Sequence, residues 1–560
     1  MKKIFKTDYI LMIFFTLMFA MLTFYKIGSF VAPESFLCLN SDSSDKIKVV
    51  STFDDPIYIS KVYVYFGIKA GDKASISTSV NSDEGWEQIN KVYDISGTFC
   101  WKILDVNREC RFFGLICEAN QRDFSIGEII FIDEKGEIIQ PSNADSYTEL
   151  FDEQEKFVEI PTYYNNTYFD EVYHGRTAYE FIHNLPIYEN THPPLGKTLI
   201  ACGIRLFGMT PFGRRVVCGL FSVIMVPLFY IISKALFRRT AEASFAVILL
   251  LTEFMNYTLG RIATVDIIVA FFILAMFYFM NRFTDVLDSG KDFNAQYIWL
   301  LFCGIFAGLS IATKWTGFYA LAGIAIIYFI HVFEYVGGFK GIVNNKIYLL
   351  KLFGFSVICF IVIPFFIYVI SYLEFLPTHE GESLIKVMWD NSTSILKYHS
   401  KADEPHAYAS NWYTWLFDLI PLLDSFTATV EGEASVIVTF INPLVCYVGL
   451  LALGHNVYIC IFKKNKNARL LIVYYFAMLV PWIFITRTVF IYQYFVPSLL
   501  LILLITNSVS TLNRREEIMI ALALVSIIIF ILYFKVISGN SVSLDYVFRY
   551  LRWFPKWIYQ

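Results

Sequence analysis

The side chains best suited to chemistry sit in one short polar stretch. It runs through Phe169-Asp170-Glu171, then His174 and Arg176, then His192-Pro193-Pro194-Leu195-Gly196-Lys197. Almost everything after it is apolar, so these groups read as chemistry performed at a membrane surface. Asp170 and Glu171 are adjacent, so on a helix their side chains point about 100° apart and on a strand to opposite faces. Only one of them meets a given reacting atom. Asp170 suits a general base, with Glu171 orienting or hydrogen bonding beside it; a solvated acidic pair in a loop is the plain alternative. Two prolines fix the chain's entry into the helix that Lys197 begins. That places the lysine either for a lipid phosphate or as a side chain snorkelling from the membrane.

Further cations recur at the ends of apolar runs: Arg261 with Asp266, Lys314-Trp315, and Arg487 flanked by Trp482, Phe490, Tyr492 and Tyr494. Ionisable groups at the hydrocarbon boundary are costly and need a counter-charge, water or an anionic ligand. A salt bridge between Arg261 and Asp266 satisfies one of them structurally, whereas three basic groups on one face favour a phosphate or pyrophosphate. Between residues 373 and 433 lie His379, Glu380, His399, Glu404 and His406, then Ser410, Trp412 and Trp415. Their spacing matches no compact metal-ligand motif, so no metal is expected. Histidine beside tryptophan suits a sugar platform or an interfacial belt.

The elements that must position these groups are membrane spans. The chain has 560 residues, 56% of them hydrophobic and 17% charged, which excludes an ordinary soluble enzyme. A first apolar block from Tyr9 to Phe30 follows Lys2, Lys3 and Lys6 and lacks a small-residue cleavage site, so it reads as an uncleaved span. Further spans are expected at 216–236, 241–259, 263–281, 297–312, 315–334, 347–372, 434–461, 470–486, 489–508 and 518–536, giving about 11 transmembrane helices. Lys234, Arg238 and Arg239, Lys340, Lys346 and Lys351, Lys463 to Arg469, and Arg514 and Arg515 fall in loops on one side; Arg282 and Lys291 are offset by Asp285, Asp288 and Asp292. That bias places the N-terminus in the cytoplasm and the polar stretch, residues 373–433 and the 537–560 tail outside. The segment from Leu195 to Met209 reads as an interfacial helix ended by Gly208 to Pro211.

Residues 33–160 differ in composition from the rest. Short runs, Ile47 to Thr52, Ile57 to Phe66, Ala74 to Val80, Phe112 to Cys117 and Ile126 to Ile132, alternate with turn-forming clusters and predict an all-β external domain of sandwich type. Cys38, Cys100, Cys110 and Cys117 fall within it, compatible with disulfides or with free thiols. Gly85-Trp86, Arg111-Phe112-Phe113 and Glu128 to Phe131 weakly resemble the discoidin-type sandwich that often binds carbohydrate. Residues 161–215 then form the catalytic external loop with its interfacial helix, 216–372 and 434–536 the remaining spans, and 373–433 a large external loop.

The gathered residues resemble the protein O-mannosyltransferase family, the dolichyl-phosphate-mannose–protein mannosyltransferases, over most of residues 1–36 and 160–530. The most specific part is Tyr168-Phe169-Asp170-Glu171-Val172-Tyr173-His174 continuing to the His192 to Lys197 run. The resemblance makes Asp170 the catalytic carboxylate with Glu171 beside it, and matches Arg261 with Asp266 and Lys314-Trp315 to family turns. Lys397-Tyr398-His399, His406 to Ser410 and Trp412 to Trp415 resemble the family's external loop, and Arg487 with Phe490, Tyr492 and Gln493 its late phosphate-side motif. Gln493 stands where the family usually has histidine, and Phe440-Ile441-Asn442-Pro443 lacks the usual glycine. The β-insertion is larger than the family's usual loop.

The resemblance implies a multi-span, lipid-donor glycosyltransferase. It would move mannose from a polyprenyl phosphate to a serine or threonine hydroxyl of an acceptor protein outside the membrane, with inversion. Arg261, Lys314, Arg487 and Lys197 would hold the donor phosphate, His192, His399, His406, Trp412 and Trp415 the sugar or acceptor, and Asp266 and Tyr492 would support them. Fixed cations then do the work of a metal, so no cofactor is expected. A cell-wall or lipid-linked glycan is the nearest alternative acceptor; a transporter or a carbohydrate-binding surface protein is the alternative of another class. The transporter reading predicts charges in mid-span and an internal repeat, neither of which is apparent. No nucleic-acid partner is expected, and richness in Lys, Asn, Phe, Tyr and Ile points to a bacterial plasma membrane.

Overall fold

Apolar runs long enough to cross hydrocarbon fold as helices wherever no breaker interrupts them. The computed structural model describes residues 5–39, 46–68, 73–80, 85–95, 97–118, 124–289, 294–401, 405–557 and 559. Glu404, Lys291 and Asp292 lie outside them. Ten described helices are long and apolar enough to span: Lys6–Phe24, Pro211–Phe237, Val265–Ser289, Ala295–Thr313, Thr316–Val336, Lys346–Thr378, Pro443–Lys463, Lys466–Phe484, Ile491–Ser510 and Arg515–Ser538. The chain divides into two compact units, residues 1–25, 173–203 and 215–560 forming one and residues 26–172 and 204–214 the other.

In the first unit, two expected spans are corrected. The 241–259 segment is no single helix: Thr240–Leu251 stops, and Glu253 starts Phe254–Leu259 by accepting the N–H groups of Phe254 and Met255. A carboxylate that caps a helix start ends the preceding run by the same act. The 434–461 segment begins as a strand. Its Ser435 to Thr439 run is rich in β-branched residues, and the helix starts only at Pro443, with Asn442 accepting from the Leu444 N–H. That strand lies centrally in a three-stranded antiparallel sheet, between Leu422–Ala428 and Ser541–Ser543. The external loop and the C-terminal tail therefore meet across it.

Helices of this unit pack closely where small residues allow it. A Cβ at Gly304 would lie 2.1 Å from the Cys359 carbonyl, so the Ala295–Thr313 helix touches backbone at the π-helical turn Ile358–Val362. At Gly196 a Cβ would lie 2.6 Å from Val265 Cγ1. Glycine there lets the Leu195–Phe207 helix start against the Val265–Ser289 helix, which fixes Lys197 next to it.

The second unit is built on seven strands, β1 (Leu37–Leu39), β2 (Lys46–Phe66), β3 (Lys73–Ser79), β4 (Glu87–Asp94), β5 (Cys100–Glu118), β6 (Phe124–Ile132) and β7 (Ile138–Ile139). They form one connected antiparallel sheet in the order β1-β6-β2-β5-β3-β4, with β7 beside β6. Register shifts interrupt the long β2–β5 pairing between Thr52 and Ile57 and between Ile59 and Lys61, and bulges of this kind bend strands. Val49 before the first shift and Phe53 within it share one core with Val62, Val64 and Phe66 after it. Phe113 and Phe131 meet edge-on in that core at 5.1 Å, so packing accounts for two of the residues behind the discoidin likeness. Cys38, Cys100, Cys110 and Cys117 are all free thiols, the last three buried.

Candidate active site

In the membrane unit the histidine and lysine of the His192 to Lys197 run are closed in by the chain around them. Lys197 is buried and sits 2.5 Å from a Glu189 carboxylate oxygen, while also donating to the Glu189 carbonyl at 3.0 Å. The same carboxylate accepts the Thr191 N–H at 2.6 Å and the Thr191 hydroxyl. His174 Nδ1 stands 3.8 Å away. Burial alone would raise the Glu189 carboxyl, but Lys197 and His174 outweigh it and hold it at about 2. Lys197, expected on a donor phosphate, already has its anion.

Three imidazoles lie in a row beside this pair, His192 stacked on His399 and tilted against His174. His174 and His192 lie 5.9 Å apart between ring centres, and His192 and His399 5.5 Å. His399 Nε2 meets the Thr191 carbonyl at 2.9 Å. Burial pushes His174 down to about 4 and, with Arg487 and Lys314 adding repulsion, His399 to about 4; burial, with Lys314 and the neighbouring cationic groups, holds His192 well below its ordinary value. The stack is neutral near pH 7.

Lys314 pairs with Asp266 at 2.8 Å, both buried. Its ammonium also stands 5.3 Å over the Tyr492 ring. Asp266, Lys314 and Tyr492 line a small cleft together with Thr316, Met478, Trp482 and Gln493. Asp266 is thus matched to Lys314 rather than reserved for Arg261. Arg487 is half-buried and donates to the Thr488 carbonyl at 3.2 Å. No carboxylate pairs with it among the described residues.

The other expected residues take different places. Arg261 is 2% exposed, with Nη1 donating to the carbonyls of Thr23 at 2.7 Å and Tyr25 at 2.6 Å and Nη2 to that of Ser538 at 3.3 Å. The guanidinium ties the ends of the first and last spans, a correction to its expected place on the donor phosphate. Trp415 is fully buried, its indole N–H donating to the Ser410 carbonyl and hydroxyl at 3.0 and 2.9 Å, with Trp482 and Tyr494 against its ring. A ring enclosed in this way offers no face to a sugar, so that expectation is also corrected. Trp412 is half-buried beside Tyr413, and His406 is exposed, edge-on to Phe490 at 4.9 Å.

Asp170 and Glu171 belong to the second unit. Phe169 holds a positive φ of 44°, and the Glu171–Ile182 helix begins at once after Asp170. Glu171 is fully buried, and its Oε2 accepts from Arg214 Nε at 3.3 Å and from the Tyr168 N–H at 3.4 Å. Arg214 is itself fully buried. Two acids adjacent in sequence thus differ in burial: Glu171 lies in a buried ion pair, and Asp170 is half-buried.

Glu189 and Arg214 went unrecognised in the sequence. Each left a signal: Glu189 lies between His174 and Lys197, and Arg214-Arg215 opens a long apolar helix, an expensive position for charge.

Comparison with known proteins bears on this arrangement. Residues 157–375 match the family model described as dolichyl-phosphate-mannose-protein mannosyltransferase. A polyprenol-phosphate-mannose–protein mannosyltransferase of Mycolicibacterium smegmatis is 22% identical over 377 residues, covering 58% of this chain and 72% of the relative. One from Corynebacterium glutamicum is 21% identical over 430 residues, 65% of this chain and 81% of the relative. Among solved structures, the Saccharomyces cerevisiae protein O-mannosyltransferase Pmt1-Pmt2 complex bound to the sugar donor aligns with a TM-score of 0.60 at 13% identity, over 70% of this chain and 89% of that one. That likeness is one of fold.

Proposed function

We propose, from this chain's membership of the protein O-mannosyltransferase family, that it transfers mannose from a polyprenyl-phosphate donor to a serine or threonine hydroxyl of an acceptor protein. The observation that carries the reading is the family match over residues 157–375, which includes Asp170-Glu171, the His192 to Lys197 run, Arg261, Asp266 and Lys314-Trp315.

The chemistry divides between a base and fixed cations. Asp170 takes the proton of the acceptor hydroxyl as its oxygen attacks the anomeric carbon. The bond from that carbon to the phosphate oxygen breaks, and the lipid phosphate leaves with one more negative charge than it carried as a diester. A single displacement inverts the carbon. Charge growing on the leaving group needs preorganised cations more than a proton, and Lys314 and Arg487 have that role, while Arg261 and Lys197 stiffen the scaffold. Glu171, held by Arg214, positions the segment that carries Asp170. His192 and His399, neutral and stacked, together with His406 and Trp412, face the sugar or acceptor.

The positive-inside bias supports a cytoplasmic N-terminus and an extracytoplasmic reaction, and composition supports a bacterial plasma membrane. The test is transfer of radiolabelled mannose from synthetic polyprenyl-phosphate mannose to a membrane protein fraction by purified protein. Label appearing in protein supports the reading, and label appearing only in glycan or lipid would replace its acceptor.

A further inference from the structure

The Leu384–Lys401 helix lies outside the ten spans, in the stretch between residues 373 and 433, and it presents three kinds of surface. At about 100° per residue, Val387, Met388, Asn391 and Ile395 fall on one side and are buried. Lys386, Asp390, Ser394 and Lys397 share a second side, exposed and polar, with Lys386 between Glu382 and Asp390. Ile385, Trp389 and Leu396 fall within about 40° of one another on the third side. They are 59%, 68% and 61% exposed. A helix bordered only by protein and water keeps polar residues wherever it is exposed. An apolar stripe set apart from a polar one calls for a second medium.

Packing fixes the level of this helix. Val387 and Met388 share a core with Val369, Tyr372 and Phe375 at the end of the Lys346–Thr378 span. The Tyr372 hydroxyl donates to Asn391 Oδ1 at 3.3 Å, and the Tyr368 hydroxyl meets Ser392 Oγ at 3.0 Å. Rising residue numbers on the helix meet falling ones on the span, so the helix folds back along it. Ser392 thus lies level with Tyr368, whose hydroxyl also accepts the Trp315 indole N–H at 3.2 Å where the Thr316–Val336 span begins. The middle of the helix is therefore at the depth where spans enter the membrane. Phe366, Ile370 and Leu373 on the neighbouring span are exposed as well, so both partners turn apolar side chains outward near that depth.

An amphipathic helix with tryptophan on its apolar side and lysines on its polar side suits the zone between headgroups and acyl chains. Lys397 and Lys401 reach from that zone toward headgroup phosphates. We infer that the Leu384–Lys401 helix seats its Ile385–Trp389–Leu396 stripe in the bilayer interface, on the side of the membrane that carries the histidine row, with its polar side in water. The partner is a lipid surface. In its last turn the same helix holds His399, whose Nε2 meets the Thr191 carbonyl, so the bilayer supports one end of the histidine row.

The experiment is tryptophan quenching in full-length protein held in nanodiscs of phosphatidylethanolamine and phosphatidylglycerol, with plain or dibrominated acyl chains. Trp389 emission is the difference between wild type and Trp389→Phe. A second reporter, Ser394→Trp in the Trp389→Phe background, marks the polar side of the same helix, and all proteins are matched for melting temperature. Trp389 emission should be largely lost in brominated lipid and unmoved by aqueous iodide, and the Ser394→Trp emission should do the reverse. Trp389 quenched by iodide and spared by brominated lipid would put the stripe in water and overturn the inference. Trp389 reached by neither quencher would assign the stripe to a protein partner or a second copy and overturn it too, as would two reporters that respond alike.

Discussion

Arg261 and Arg487 both sit at the ends of apolar runs, yet the protein treats them oppositely. Around Arg261 three backbone carbonyls from the first and last spans take up the guanidinium. Around Arg487 the described residues supply one carbonyl, that of the next residue. By the same count Lys197 is closed by Glu189 and Lys314 by Asp266, each in a buried pair. A costly cation at a membrane boundary is therefore no sign of a ligand until its protein acceptors have been counted.

The contrast breaks most visibly in activity. Arg487→Gln should lower kcat/KM for the donor by roughly 100- to 1,000-fold, the usual cost of removing one preorganised stabiliser of developing charge, with an unchanged melting temperature. Loss of stability instead would place Arg487 with Arg261.

Stability should show the other half. Arg261→Gln leaves buried carbonyls without donors, and Glu189→Gln leaves the Lys197 charge buried without its counter-charge. Removing one partner of a buried ion pair costs roughly 3–5 kcal/mol, and each buried carbonyl left unpaired about 1–3 kcal/mol, so both variants should melt markedly earlier in detergent. The Arg261→Gln protein that remains folded should bind bare polyprenyl phosphate as wild type does; a selective loss of that binding would return Arg261 to the phosphate.

Acid sharpens the account of the histidine stack. His174 and His399 are held near 4 in the folded protein against an ordinary 6.5, so the unfolded chain binds protons more readily. Their contribution is complete above about pH 6.5 and is lost as pH falls toward 4. Thermal melts across that window should show a decline that is reduced in His399→Gln. A flat profile between pH 6.5 and 4 would contradict the neutral stack.

The smallest effect is expected at Trp415. Trp415→Phe keeps most of the buried ring and removes an indole hydrogen bond worth about 1 kcal/mol. Donor KM should be unchanged, whereas a raised KM would restore the ring to sugar contact.

Span lengths were legible because hydrophobic runs of some 20 residues have few other uses. Where another element competes for the same letters, legibility ended. Ser435 to Thr439 satisfies a span and a buried strand equally, and only its pairing with Leu422–Ala428 and Ser541–Ser543 decides. Glu253 looks like a misplaced charge in an apolar run until it is seen capping the helix that follows. The site divides in the same way. Residue types named the candidate base and cations, but Glu171 finds Arg214 43 residues away and Arg261 finds carbonyls more than 230 residues away. Asp8, buried in the first span against Lys234 at 2.9 Å, is a further long-range pairing that composition conceals.

The central claim is that Asp170, and not its locked neighbour Glu171, takes the acceptor proton. Purified wild type and Asp170→Asn, matched for yield and melting temperature, are compared for transfer of radiolabelled mannose from polyprenyl-phosphate mannose to protein. A fall of at least about 100-fold, the low end of what a positioned base supplies, is the expected result. Equal transfer by the two proteins would contradict the account.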